Sequence, residues 1–160
     1  MAKLSTFTKN NLNKQGFGKL DDEAKARIAL PLRFSPGVAT ILIVVGLILQ
    51  SPIWIGAVAL VALSGALFTN GMILDLVYNL GVRHLFHAPQ LPATPTPRRF
   101  SYALSSALLA GSAVCFTLGL PVVGLILGGM VAIGGFMLTT SLWCIGSWYY
   151  RLFFGRGRGE

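Results

Sequence analysis

Residues 101–150 read SYALSSALLAGSAVCFTLGLPVVGLILGGMVAIGGFMLTTSLWCIGSWYY, a stretch without one Asp, Glu, Lys or Arg. Arg98 and Arg99 stand just before it and Arg151 just after. A soluble domain does not bury so long a run without a charge. One membrane span needs about 20 apolar residues, so this stretch holds two helices, folded back at Gly119-Leu120-Pro121. A second uncharged stretch, residues 36–74, is broken at Gln50-Ser51-Pro52 and reads as helices over 36–50 and 53–74. The expected fold is an all-α integral membrane protein: four transmembrane helices as two tandem hairpins, with interfacial amphipathic helices on the cytoplasmic side. The first helix is short for a span, and the alternative is a hairpin that enters and leaves on one side.

The composition agrees. Hydrophobic residues make up 54% and charged residues 11% of the 160 positions, and the mean hydropathy is +0.68. The net charge of +8 would raise nucleic acid as a partner in a soluble protein. Here the basic residues flank apolar spans, so anionic lipid headgroups are the expected partner and nucleic acid is not. The two cysteines, Cys115 and Cys144, lie within apolar sequence and do not form a secreted disulfide framework. The first apolar run starts near Pro36, too late and too long for a cleaved signal peptide.

In chain order, residues 1–35 read as a cytoplasmic N-terminal tail. Its first part, 1–19, is polar and loosely docked. An amphipathic helix follows, opened by Asp21, Asp22 and Glu23, with Leu20, Ala24 and Ile28 on one face. Residues 36–74 form the first hairpin. Residues 75–100 are a cytoplasmic connection: an interfacial helix over 76–87, then a strap with Pro89, Pro92, Pro95 and Pro97 that favours extended chain. Residues 101–150 form the second hairpin and 151–160 a basic tail. Seven Lys or Arg precede Pro36, three lie in the central connection and three in the C-terminal tail, which accounts for all thirteen. The two tight turns have none. Both termini and the central loop therefore face the cytoplasm of a bacterial inner membrane.

Arg33-Phe34-Ser35 before the first hairpin is echoed by Arg99-Phe100-Ser101 before the second, near 67 residues on, as in a duplicated hairpin in parallel orientation. Small residues at every fourth position, Ala103, Ala107 and Gly111, are answered by Gly124, Gly128 and Ala132. Such stripes let helix backbones approach, and these two are expected to face each other. Trp143, Trp148, Tyr149 and Tyr150 form an aromatic belt at the cytoplasmic interface.

Few side chains could carry chemistry. Asp75, at the end of the second helix, needs a partner; Arg83, Arg98 and Arg99 are candidates, clamping the central loop to the bundle. His84 and His87 stand three apart with no third ligand nearby, so no metal site is expected. Cys144, beside Trp143, is the one thiol placed to react. No ionisable group lies deeper in the spans, and no nucleophile triad, phosphate loop or zinc motif is present. The expectation is a chain without catalytic residues or cofactor.

From Arg33 onward the chain resembles an uncharacterised family of small bacterial four-helix membrane proteins, a domain of unknown function. The resemblance is carried by Arg33, by Asp75 followed by Arg83, and by the strap Pro95-Thr96-Pro97-Arg98-Arg99-Phe100. The family usually ends in a cysteine pair two residues apart, where this chain has Cys144 and Ser147. Its members often occur with sulfur-transfer and thioredoxin-like proteins, which implies thiol or sulfur handling. Three functions are therefore in view. The leading one is a non-catalytic subunit or scaffold of a larger membrane complex, partnered by other subunits or its own copies. The others are transport or handling of a small anion or sulfur/thiol species, and membrane shaping by wedge hairpins.

Overall fold

A computed structural model describes residues 5–85 and 87–155. Among these residues the secondary structure is helical, with no strand. α1 (Thr6–Leu12) runs into a turn of π-helix, Asn13–Phe17. This is a difference from the loose tail expected: Asn11, Leu12, Gln15 and Phe17 are all buried. α2 (Asp22–Ala29) begins where the Asp21 carboxylate accepts the Ala24 N–H at 2.8 Å. One turn of 3₁₀-helix (Pro31–Arg33) leads into α3, Phe34–Ile48.

α4 (Pro52–Leu67) starts from a Ser51 cap with Pro52 in the first turn. It stops seven residues before the position expected from the apolar run. The Arg99 guanidinium donates to the carbonyls of Ala66 and Leu67 at 3.0 and 3.1 Å, satisfying the open end of the helix. Beyond that break α5 (Ile73–Val77) continues through a π-turn, Tyr78–Val82, into α6, Arg83–Leu85. Residues 88–95 form the extended strap, and α7 (Thr96–Thr117) begins on its last prolines. Gly119, at φ +73°, makes the turn into α8, Pro121–Ser141.

The last helix was expected to continue to residue 150. It breaks instead at Leu142, which takes φ +53°, and α9 (Ile145–Phe154) sets off separately. A left-handed conformation costs a leucine roughly 1–2 kcal/mol. Full burial of the Leu142 side chain, 1% exposed, offsets roughly 1.5–3 kcal/mol. Two amides from the N-terminal segment add to this: Asn11 donates to the Ser141 carbonyl at 3.0 Å and Gln15 to that of Leu142 at 2.5 Å.

α4 packs along α7, α3 along α8, and α7 against α8. Their core is Ile43, Ile55, Val58, Ala59, Leu109 and Ala132. A second cluster, Leu12, Phe17, Ile28, Leu32, Tyr78, Leu91 and Leu142, lies where the short helices and the strap close one end. Among the described residues, three helical segments are long and apolar enough to cross a membrane: Pro31–Ile48, Thr96–Thr117 and Pro121–Ser141. α4, with 16 residues, spans roughly 24 Å, short of the roughly 30 Å of hydrocarbon.

Candidate functional site

The repeated triplet organises the closed end of the bundle. In the first half Phe34 packs on Tyr78, centroids 5.5 Å apart, and the Ser35 hydroxyl donates to Asp75 Oδ1 at 2.5 Å. In the second half Phe100 packs on Tyr150 at 5.6 Å, and the Cys144 thiol donates to Ser101 Oγ at 3.1 Å. Each half thus ties the start of a long helix to the short amphipathic helix that follows the next one. The α4–α7 and α8–α3 contacts correspond in the same way.

Asp75 is 5% exposed. Its Oδ2 accepts the Met72 N–H at 3.1 Å, closing the first turn of α5. Gly71, at φ +95°, is required there, because a Cβ would run into the carboxylate. Arg98 is 2% exposed. Its Nε donates to the Tyr102 hydroxyl at 2.9 Å, and its guanidinium carbon lies 5.7 Å from the centre of that ring. Nη2 has no hydrogen-bond partner. Arg98 is in electrostatic reach of Asp75, Tyr102 and Cys144. Neither Arg98 nor Asp75 is in an ion pair; among the described residues these are Lys9–Asp22 and Arg27–Glu23.

Cys144, 7% exposed, stands at the N-terminal boundary of α9, and its side chain makes no capping bond. Ser147, one turn on, is 1% exposed and its hydroxyl has no partner. Gly146 lies so close to Ser101 that a Cβ would meet its backbone. A cavity of about 200 Å³ between α3, α4, α7, α8 and α9 is mostly apolar; Ser101, Tyr102 and Cys144 are among its polar lining.

The residues expected to matter divide into two sets. Asp75, Arg98 and Cys144 come together at this centre. Arg99 instead closes the end of α4. Arg83 is half-buried and its Nε donates to His84 Nε2 at 3.4 Å, while His84 and His87 are exposed. Among the described residues no three of His, Cys, Asp and Glu converge as a metal site. Gly124, Gly128 and Ala132 are buried, with Gly124 against Phe116 and Gly128 against Leu47 and Ser112. Gly111 is half-buried, and Ala103 and Ala107 lie on the exposed face of α7. The inward face of that helix carries Arg98, Tyr102, Ser106, Leu109 and Ser112. Sequence reasoning gave no site role to Ser35, Ser101, Tyr102 or Ser147. The triplet echo was the signal for the first two.

The architecture of the described residues defines a class: a helical bundle with helices apolar enough to cross a membrane and a buried polar centre at one end. The chain belongs to the family described as Domain of unknown function (DUF4395), whose model matches residues 30–154. That range takes in the whole polar centre and leaves α1 and α2 outside. No curated protein and no solved structure matches the chain.

Proposed function

We propose that this is a four-span protein of the bacterial inner membrane whose polar centre, on the cytoplasmic side, holds a small anion, in particular a thiol or other sulfur anion. The spans are α3, α4, α7 and α8 as two hairpins, with α4 crossing through a thinned bilayer. The distribution of basic residues supports this orientation.

One observation carries the ligand class. Burying a guanidinium costs several kcal/mol unless it is paired and hydrogen-bonded, and Arg98 keeps one nitrogen unpartnered with no carboxylate salt-bridged to it. An anion seated there supplies the missing charge and acceptor. The test is thermal unfolding of the purified chain in mild detergent with thiosulfate, thioglycolate or chloride at equal ionic strength. The sulfur anions raise the Tm of the native chain and leave that of Arg98→Gln unmoved. Equal response of both chains would remove the reading.

The subunit reading rests in part on a bundle without ionisable side chains, and Asp75 and Arg98 are both buried. A separate observation still favours a partner helix: Ala103 and Ala107 present a small-residue stripe on the exposed face of α7. Extraction from native membranes in mild detergent, followed by mass determination, decides it. Stoichiometric co-purifying chains establish a subunit, and a lone chain excludes it.

A further inference from the structure

We propose that the cavity between the helices binds a lipid-soluble, uncharged amphiphile, a single hydrocarbon chain with a carbonyl head, which enters sideways from the bilayer. This rests on the bilayer setting proposed above and not on the anion reading, since Arg98 is not among the residues lining the cavity. The wall on α7 runs from Ser101 to Leu109 and that on α8 from Leu138 to Met130, each roughly 12 Å along its helix. The two helices are antiparallel, so both runs descend from the same end of the bundle. Ser101, Tyr102 and Cys144 line that end, and Val58, Leu109 and Met130 the other. A volume of about 200 Å³ drawn out over that length suits one chain. Leu104, Met130 and Tyr149, all in the wall, are exposed, so the cavity opens through the side of the bundle, where membrane helices meet lipid. No Asp, Glu, Lys, Arg or His lines it, which leaves a charged head without a counter-ion there.

The hydroxyls define the head. Within α7 and α8, Ser106, Ser112, Thr117, Thr139, Thr140 and Ser141 each donate to a backbone carbonyl, the usual way to satisfy a hydroxyl in an apolar helix. Two hydroxyls in the cavity wall differ. Ser105 is half-buried and makes no hydrogen bond among the described residues. Ser101, four residues earlier and so on the same face, accepts the Cys144 thiol, while its own O–H has no acceptor among the described residues. Donors left unmet in an apolar setting cost free energy, and a carbonyl oxygen between them meets both. Acyl esters and isoprenoid quinones share this chemistry, an uncharged carbonyl on a long apolar body. Gly134 leaves room beside the chain: a Cβ there meets nothing nearer than Ile145 Cδ1 at 4.0 Å, and both residues line the cavity.

The test uses the full chain in nanodiscs of dioleoylphosphatidylcholine. The probe is a medium-chain monoacylglycerol with a diazirine at the end of its chain, and the labelled residues are mapped by mass spectrometry after irradiation. The expected label falls on the deep wall, at Val58, Leu109 or Val131. Excess unlabelled monoacylglycerol or decylubiquinone removes it, and the stronger competitor identifies the head as ester or quinone. Gly134→Leu fills the cavity and abolishes this label. Gly129→Leu, where a Cβ meets nothing within 4 Å and which lies outside the wall, leaves it in place. Ser101→Ala combined with Ser105→Ala weakens competition by about 10-fold. Thermal unfolding of each variant identifies any that fails to fold. Label confined to Ile126 and Ile133, which are exposed on α8, overturns the cavity site and leaves the membrane reading intact. Label in the wall that neither competitor removes, or that persists in folded Gly134→Leu, overturns it as well. A chain that takes no label anywhere loses the bilayer setting along with the site. The anion reading stands or falls separately, on the Arg98-dependent shift of Tm by thiosulfate.

Discussion

Arg98 and Asp75 are buried at the same end of the bundle without forming a salt bridge, and each has been given to a different neighbour. The Asp75 carboxylate accepts from the Ser35 hydroxyl and the Met72 N–H, while Arg98 faces Tyr102. Two donors on one carboxylate make it sensitive to loss of an acceptor oxygen. Asp75→Asn presents an N–H to one of them and destabilises by about 1–3 kcal/mol, whereas Ser35→Ala removes one bond and costs about 1 kcal/mol. Thermal unfolding in one detergent should therefore rank Asp75→Asn below Ser35→Ala; equal values would mean that the Met72 bond contributes nothing. Gly146 is the tightest backbone contact at the centre. Gly146→Ala drives a methyl into Ser101 and costs about 1–3 kcal/mol through displacement of α9, read as a lower Tm. Asp75, Arg98 and Cys144 were all legible as candidates, being ionisable or nucleophilic residues in apolar surroundings. Their convergence was not, because they lie on three helices, and the serines that hold two of them look like ordinary polar residues in a membrane helix.

At the scale of elements, the two short helices after α4 and α8 set this protein apart from a plain bundle of hairpins. Each begins at a break in an apolar run, and each break is held by side chains from elsewhere: Arg99 at the end of α4, Asn11 and Gln15 at the end of α8. The π-turn that carries Gln15 needs Gly16 at φ +102°, pressed against Pro95. Gln15→Ala takes the donor from the Leu142 carbonyl and lowers stability by about 1 kcal/mol. Leu142→Gly tests which effect governs the break. Relief of the left-handed backbone returns roughly 1–2 kcal/mol, but removing a fully buried leucine costs roughly 2–5 kcal/mol, so the net effect in thermal unfolding is a loss. A gain would show that backbone strain outweighs packing there.

For the whole molecule in the proposed bilayer setting, lipid removes the usual driving force for helix association, leaving close packing and interhelical hydrogen bonds. The Ser106 hydroxyl donates to the Ala59 carbonyl at 2.9 Å and that of Ser112 to the Gly124 carbonyl at 2.7 Å, joining α7 to α4 and to α8. Such bonds contribute about 0.6 kcal/mol each. The proposed four-span topology makes its own prediction. In a chain with Cys115→Ala and Cys144→Ser, single cysteines introduced as Gln50→Cys or Leu120→Cys are both labelled by an impermeant maleimide from the periplasmic side. If α3 and α4 enter and leave on the cytoplasmic side, the first stays unlabelled while the second reacts.

The sequence by itself determined what depends on near neighbours and on solvent. The uncharged runs are fit only for helices in an apolar setting, Pro and Gly mark the turns, and the Lys and Arg placement sets the expected orientation. Tertiary structure decided where α4 and α8 stop, the docking of the N-terminal segment over the bundle end, and the gathering of Arg98, Asp75 and Cys144 into one centre. The physical reason is range. Hydropathy and turn propensity act over a few residues, whereas the ends of α4 and α8 hang on side-chain bonds to distant backbone carbonyls, and Asp75 and Cys144 are held by serines dozens of positions away.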